Sequence, residues 1–464
     1  MATAKAAVND SPNGHTRALR EFASVNPKDA EDGAHKIFKE YGLTIPLPIH
    51  KTDLGAEGVE QFPILKFSDW LRYLMDNCRF SQMCGVETLE EMMETLREFW
   101  VRSEKISPQH EIFASFRAGT VIPSLCLPVY SHTDKGRTYQ KQGILIVSTH
   151  GALGRGTRSF IAKQVKKNHL KKPRMGMNFV GKTLSTQFLC CALLRSVYAD
   201  DDTPFRKVMS YYAEDMSMLS TQGVWNSPKT LRMWALHIGT KADLPALIKA
   251  GNFERTFRHV PKAGSSRKPC GGICHLCLAG QEAPVHHPYE DFLPTATWTN
   301  TLFSVRPWAD DNEPEIIQGL PLSRHQPEDF FKLDLWHTFH AGVGKVWIAA
   351  SLVCISEFGV PGNSVEAKLE WLNNDWHLFC RMKKICPSLK IERKTLSYPQ
   401  TSAWPEGHWS KGQTTPHLMM YLQHLCEKVV DGKTDDVLLR SIVSCLWFSN
   451  TFSFNMFGVV IYQK

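Results

Sequence analysis

The sequence has no acidic residue at all between Lys135 and Ala199, although the whole chain of 464 residues carries 46 Asp and Glu. The same segment holds 13 Lys and Arg, whereas the net charge of the entire chain is only +8. We expect this segment to attract a polyanion, and a nucleic-acid backbone is the commonest one because binding releases counterions. The alternative is a solvated lysine-rich face with acids packed against it from elsewhere. The candidate nucleic-acid contacts are Arg155, Arg158, Lys163, Lys166, Lys167, Lys171, Lys172 and Arg174.

Long apolar runs are also missing. The longest, such as "VWIAASLVCI" from Val346, stop near ten residues, short of the roughly 20 that a membrane helix needs. The N-terminal stretch "MATAKAAVNDSPNGHTRALR" lacks the apolar core of a secretory signal. We therefore expect a soluble, non-secreted protein with no membrane partner. We then expect its 13 cysteines to be buried apolar side chains and the ligands of one metal site, and not to form disulfides.

Two common catalytic motifs are absent as well. The Gly-rich "STHGALGRG" contains neither the G-x-S-x-G of a serine hydrolase nor the G-K-[ST] of a phosphate-binding Walker loop. Cys190 and Cys191 lie in an apolar segment, where a thiol is usually inert. Hydrolysis through a Ser or Cys nucleophile therefore has little support.

The pattern along the chain predicts an α/β (α+β) fold, with a mixed sheet flanked by helices. Apolar runs at 125–130 and 144–147 predict two strands joined by a polar connection. The apolar segment 185–202 predicts a buried helix, and 230–251 predicts a strand followed by a short helix that Asp243 caps and Gly251 ends. The expected regions are a loosely ordered arm 1–50, a helical region 51–120, an α/β core 121–260, a metal-binding insertion 261–300 and a mostly helical region 301–464.

The tightest cluster of potential metal ligands is "CGGICHLCLAGQEAPVHH", from Cys270 to His287. A C-x2-C pair such as Cys274 and Cys277 supplies two ligands to a tetrahedral zinc ion, because the tight turn between them points both sulfurs inward. Either Cys270 with one histidine or both histidines would complete the set. Adjacent histidines rarely bind one ion together, so we favour Cys270, Cys274, Cys277 and His286. Four protein ligands leave no open position, which predicts a structural site. The bland alternative is a loop that merely contains cysteines.

Three aspartates stand where predicted strands end or helices begin. Asp134 ends the strand in "PVYSHTDKG", Asp243 follows the strand in "WALHIGTKADLP", and Asp334 lies three residues before His337 at the start of a helix. Carboxylates that converge at strand ends can hold two Mg²⁺ ions for chemistry at phosphorus. Each aspartate also has a plainer explanation as a turn residue or helix N-cap, with His337 making a polar core contact.

Taken in order, these features resemble DDE/D transposases with an RNase H-like core, of the CACTA, Plavaka and Kyakuja-Dileera-Zisupton types. The shared pattern is a strand-end Asp134 followed by a hairpin, Asp243 in a D-x-P turn, the C-x2-C pair, and the D-x-x-H of Asp334 and His337 that marks a helical insertion. The resemblance covers about residues 120–345. It implies an RNase H-like sheet, catalytic Mg²⁺, structural Zn²⁺, DNA as partner, and the nucleus as location.

The resemblance makes Asp134 and Asp243 the first two catalytic carboxylates. A third acid should follow the insertion, and we take Glu427 from among Glu357, Glu366, Glu370, Glu406 and Glu427, none of which is marked by a motif. No separate N-terminal DNA-binding finger is present in the sequence. A degenerate or truncated copy is therefore left open, as is self-association. The alternative function is a non-catalytic, zinc-stapled module that binds nucleic acid or protein.

Overall fold

The structure is a computed structural model that divides into two units, residues 1–50 and 51–464. It describes residues 2–10, 16–137, 142–154, 178, 185–259, 271–334, 336–387, 389–398, 404–409, 413–430, 437 and 440–442.

The described part of the first unit contains three α-helices, in a region that the sequence predicted to be a loosely ordered arm. Thr16 caps the second helix by accepting a hydrogen bond from the N–H of Leu19. The rings of Phe22 and Phe38 stack with centroids 5.4 Å apart. The helices are short and their apolar positions few, which is why the sequence pattern did not reveal them. They are α1 (Ala2–Asp10), α2 (Arg17–Ser24) and α3 (Ala30–Glu40).

The remaining elements include both strands and helices up to residue 251 and are mostly helical after residue 334. The strands are β1 (His50–Thr52), β2 (Phe62–Ile64), β3 (Cys126–Arg137), β4 (Gly143–Gly151), β5 (Phe188–Leu194), β6 (Val224–Trp225), β7 (Arg232–Ala242) and β8 (Phe331–Leu333). The α-helices are α4 (Phe67–Asp76), α5 (Phe80–Cys84), α6 (Leu89–Ile106), α7 (Ile112–Arg117), α8 (Arg195–Tyr198), α9 (Thr203–Thr221), α10 (Leu244–Ala250), α11 (Gly344–Phe358), α12 (Val365–Lys383), α13 (Arg393–Leu396) and α14 (Thr414–Leu425). Two π-helical stretches, Trp336–Val343 and Cys426–Val430, adjoin α11 and α14.

A mixed six-stranded sheet forms the centre of the second unit. Its strands run in the order β5, β4, β3, β7, and β7 pairs at opposite ends with β6 and with β8. Strand β4 is antiparallel to both β3 and β5, whereas β7 is parallel to both β3 and β8. The predicted mixed α/β architecture is therefore confirmed, and so is the β3–β4 pair. A second, two-stranded sheet joins β1 and β2.

The two faces of the sheet differ in polarity. Alternate residues of β3, including Leu127 and Val129, are fully buried in the main core together with residues of α4, α6 and α9. On the opposite face, the start of β3 packs under α6 and α7, where Trp100 donates a hydrogen bond from Nε1 to the carbonyl of Cys126. The second half of β3 on that face is only partly buried. This leaves an accessible surface where the parallel strands end.

The C-terminal helices build a separate apolar cluster around Trp376 and Tyr421. By length and composition alone, the helical stretch Trp336–Phe358 could cross a membrane, but the core helix of a soluble protein passes the same test. Ile348 and Leu352 of this stretch are buried in the C-terminal cluster.

One local prediction was wrong. The segment predicted as a buried helix contains β5, whose side chains alternate between buried and exposed at Phe188, Leu189 and Cys190. Strand β5 pairs with β4 through a register shift between Val147 and Ser148. A short apolar run fits either a strand or a buried helix, and here pairing with β4 decided between them.

A buried hydrogen bond between two helices predicts a measurable loss of stability. Asp215 of α9 accepts hydrogen bonds from the backbone N–H of Ser68 (3.1 Å) and from its hydroxyl (2.6 Å) at the start of α4. Asp215→Ala would leave both buried donors unpaired, so we expect urea unfolding to show a loss of roughly 2–3 kcal/mol. Glu214→Ala, at the exposed neighbouring position, is the control and should change stability by less than about 0.5 kcal/mol. Equal effects of the two substitutions would contradict this account.

Candidate functional site

Three aspartates lie at the same level of three neighbouring parallel strands. Asp243 and Asp334 directly follow β7 and β8, whereas Asp134 lies within β3, which continues to Arg137 instead of ending at Asp134 as the sequence predicted. Ala242 of β7 is the register partner of both Thr133 in β3 and Leu333 in β8. Neighbouring strands in a sheet lie roughly 5 Å apart, so the residues that follow Thr133, Ala242 and Leu333 lie side by side. Those next residues are Asp134, Asp243 and Asp334.

Asp243 has the helix-capping role that its sequence position predicted. Its Oδ1 accepts a hydrogen bond of 2.8 Å from the N–H of Ala246, and its backbone is still extended where α10 begins. Gly251 follows the last turn of α10. The cap accounts for one carboxylate oxygen of Asp243, and the strand pairing brings this residue next to Asp134.

Asp334 is held by several groups at once. Its backbone N–H donates to the carbonyl of Ala242 (3.3 Å), which continues the β7–β8 pairing. Its Oδ1 accepts from the N–H of Trp336 (2.8 Å), and its Oδ2 accepts from Nδ1–H of His337 at 2.7 Å. Nε2 of His132, on β3, lies 3.9 Å from the same Oδ2. Burial raises the pKa of the Asp334 carboxyl, but the imidazoles of His132 and His337 and the Trp336 N–H outweigh it and hold this pKa well below its usual range.

Further polar side chains line the same face of the sheet. The Lys241 ammonium lies 3.7 Å from the centre of the Tyr130 ring, which in turn contacts the His150 ring. Burial lowers the pKa of Lys241 to about 8, although Asp334 opposes this effect. Burial, followed by Lys241 and His132, lowers the pKa of His150 to about 3, so its ring is neutral at pH 7. The site thus combines carboxylates with a partly desolvated cation.

The sequence prediction missed His132 and Lys241, although a simple signal was present. Each stands two residues before a predicted catalytic aspartate in a strand. Side chains two residues apart in a strand project from the same face, so these two residues share a face with Asp134 and Asp243.

The predicted third acid, Glu427, lies elsewhere in the fold. It is exposed in the π-helical turn after α14, and its carboxylate accepts a hydrogen bond of 3.2 Å from Gln423. Within the described parts of the chain, no recorded hydrogen bond or ion pair connects Glu427 with the three aspartates. The third residue at the strand ends is instead Asp334.

The predicted zinc loop is only partly described. The N–H of Leu276 donates to Sγ of Cys274 at 3.4 Å, in the turn that leads to Cys277. The Cys277 thiol, burial and backbone N–H groups together set the pKa of Cys274, and the hydrogen bond from Cys277 prevails and lowers it to about 6. A stabilised thiolate beside a second sulfur is a donor set that suits Zn²⁺. The predicted ligand Cys270 lies outside the described residues.

The two candidate histidines of this loop differ in environment. His286 is exposed, whereas His287 is buried and its Nδ1 lies 3.0 Å from the hydroxyl of Thr297. The backbone of His287 pairs with Gly280 and Gln281 on the far side of the loop. Across the residues that the structure describes, the three aspartates at the ends of β3, β7 and β8 included, no three Cys, His, Asp or Glu side chains are grouped closely enough to hold a metal ion.

The predicted nucleic-acid contacts between Arg155 and Arg174 all lie outside the described residues. No family model matches the chain, and no curated protein matches it.

The environment of the two histidines predicts which one binds zinc. A hydrogen bond at one ring nitrogen commonly orients the other nitrogen toward a metal, and His287 has such a bond to Thr297. We expect His287→Ala to lower the zinc content of the purified protein from about one ion per chain to less than about half of that, whereas His286→Ala retains it. Elemental analysis by mass spectrometry measures both. Loss of zinc in His286→Ala alone would identify His286 as the ligand instead.

Proposed function

We propose that this chain is a transposase-derived protein that cleaves and rejoins DNA phosphodiesters with Mg²⁺ held by carboxylates. The observation that carries the proposal is the register of β3, β7 and β8, which gathers Asp134, Asp243 and Asp334 at one edge of the sheet. Hard oxygen ligands of this kind suit Mg²⁺ and the phosphates of a substrate. The side chains in the second half of β3 on this face of the sheet, including His132, are only partly buried.

The strand arrangement supports an RNase H-like core. Three antiparallel strands, β5, β4 and β3, are followed across the sheet by β7 and β8, which run parallel to β3. A helix-containing connection leads from β5 to β7 through α9. This order and these directions support the RNase H-like sheet that the sequence resemblance implies.

Each residue at the strand ends has a distinct task in the proposal. Asp134 and Asp243 would hold Mg²⁺, and Asp334 would complete the acidic group in the place for which the sequence suggested Glu427. Bound Mg²⁺ would activate a water or a 3′-hydroxyl and neutralise charge on the phosphate. The involvement of Glu427 stays a prediction from sequence.

Two cationic or basic groups next to the carboxylates extend the proposal. Asp334 accepts a hydrogen bond from Nδ1–H of His337, which leaves the other ring nitrogen, Nε2, as the one that could accept a proton. That nitrogen can accept a proton from the attacking water or hydroxyl. Lys241 lies on the same face and supplies a positive charge for a non-bridging phosphate oxygen.

The zinc loop has a structural role in this proposal. Cys274 and Cys277, together with Cys270 and one histidine, would bind Zn²⁺ with no open coordination position. Metal binding then stabilises the fold of the loop. The basic segment with Arg155 and Lys166 would contact the DNA backbone, and a substrate of this kind implies the nucleus.

Replacing the strand-end aspartates tests the proposal directly. We expect Asp134→Asn and Asp243→Ser each to reduce nicking of supercoiled plasmid DNA in Mg²⁺ or Mn²⁺ at least about 100-fold, since each removes a metal ligand. Serine keeps the helix cap of α10, so Asp243→Ser should change the free energy of unfolding by only a few tenths of a kcal/mol. Asp311→Asn, an exposed position, is the control and should cleave normally.

The wild-type protein separates the two candidate functions. DNA binding without any metal-dependent cleavage would contradict the proposed function and favour a non-catalytic, zinc-stapled binding module. Cleavage that survives both aspartate substitutions would assign the activity to other residues.

A further inference from the structure

A buried histidine connects the cysteine loop to the strand that leads to Asp334. His275 stands between Cys274 and Cys277 and is only 5% exposed. Its Nε2–H donates a hydrogen bond of 3.4 Å to the carbonyl of Phe331, the first residue of β8. Its ring also stacks on Phe253, with centroids 4.9 Å apart and planes inclined by 10°. The loop thus contacts β8 through one hydrogen bond and one ring stack.

Strand β8 depends on such contacts because it is short. It contains three residues and, within the described residues, pairs only with β7. Its first side chain, Phe331, packs edge-on against Phe253 at 5.0 Å and against Trp308 at 5.8 Å. Phe253 therefore contacts both His275 and Phe331. The position of β8 is set by β7 on one side and by this aromatic group, which includes His275, on the other.

A buried arginine fixes the loop itself. Arg255, which is 8% exposed, donates from Nε to the carbonyl of Cys274 at 3.2 Å. Its two terminal nitrogens donate to the carbonyls of Val305 and Arg306. Arg255 thus holds the turn that carries His275 against the segment that leads toward β8.

We infer that the cysteine loop is a clamp on β8, and that His275 is the positioning residue that keeps Asp334 at the strand-end site. Asp334 follows β8 directly, and its own N–H bonds to the carbonyl of Ala242. A displacement of β8 along β7 would carry Asp334 away from Asp243 and from His132. What Asp334 does once it is in place rests on the proposed function, whereas the clamp itself is a statement about β8.

Metal binding would tighten this clamp. An ion held by Cys274 and Cys277 restricts the turn between them, and His275 is part of that turn. Coupling between two sites is reciprocal. If metal binding to the loop stabilises the native position of β8, the native position of β8 must strengthen metal binding by the same free energy. Removing zinc should therefore loosen a strand that contains no zinc ligand.

Hydrogen exchange of the β8 amides tests the clamp without any reference to catalysis. Two substitutions separate the hydrogen bond from the ring. His275→Phe keeps an aromatic ring against Phe253 but removes the donor to Phe331, whereas His275→Gln keeps a donor near the position of Nε2. His325→Phe, at an exposed position outside the clamp, is the matched control.

We expect the amides of residues 332–334 to exchange at least tenfold faster in His275→Phe than in the wild-type protein. His275→Gln should remain within threefold of wild type, and His325→Phe should be unchanged. Amides of the β3–β4 pair serve as the internal reference, because a general loss of stability would accelerate them equally. Removing zinc from the wild-type protein with a chelator should accelerate hydrogen exchange in β8 as much as the His275→Phe substitution does. The same treatment of the His275→Phe variant should cause little further acceleration.

The outcomes separate the clamp from the proposed function. If the β8 amides of His275→Phe exchange as slowly as those of the wild-type protein, the clamp is overturned, even if the protein cleaves DNA. Faster β8 exchange in His275→Phe, restored in His275→Gln, would support the clamp even if the wild-type protein cleaves no DNA, in which case only the proposed function falls. If His275→Phe does not fold, the wild-type protein gives the deciding result: amides of residues 332–334 that exchange at the rate of an unstructured chain would overturn the clamp.

Discussion

The register of β7 against its two parallel neighbours is the constraint on which the rest of the structure depends. It includes one irregularity, because β7 contains an extra residue, Ile238, between the partners of Val129 and Tyr130. An extra residue in one strand shifts all later residues of that strand by one position. Their side chains then project from the opposite face of the sheet, relative to the paired strand. Beyond this bulge, Lys241 aligns with His132 on the partly exposed face. Without the bulge, Thr240 and Ala242 of β7 would lie on the face that now carries His132 and Lys241.

The bulge is supported by close packing and by buried polar contacts beneath the site. A Cβ on Gly239 would lie 2.7 Å from the carbonyl oxygen of Phe330, so the backbone at the bulge approaches the start of β8 too closely for any other residue. On the buried face, the hydroxyl of Ser131 donates to that of Thr240 at 2.8 Å and lies 2.9 Å from Nε2 of His237. Burial lowers the pKa of His237 to about 3, which keeps its ring neutral. These contacts tie β3 to β7 directly below the polar face.

The features that could be predicted from sequence are those that short-range rules determine. The capping of α10 by Asp243 and the contact between Asp334 and His337 depend on residues three apart, and both are confirmed. The register brings the backbones of the three aspartates to neighbouring positions, with Asp134 inside β3, and their joint binding of a metal stays a prediction. Other features depend on distant pairing. Strand β8 has three residues, too few for a periodic pattern, and the role of His275 follows only from its contact with Phe331. The predicted Glu427 had no motif to distinguish it from other acids of the helical region.

The most direct test of the account is diffraction from crystals of the protein soaked in Mn²⁺, which replaces Mg²⁺ at carboxylate sites and scatters anomalously. The account predicts an anomalous peak between the carboxylates of Asp134 and Asp243, within about 2.5 Å of an oxygen of each. Soaked crystals of Asp134→Asn should lack it. Crystals that show no peak at these strand ends, under conditions in which Mn²⁺ binds elsewhere on the molecule, would contradict the claim that this edge of the sheet is a metal-dependent active site.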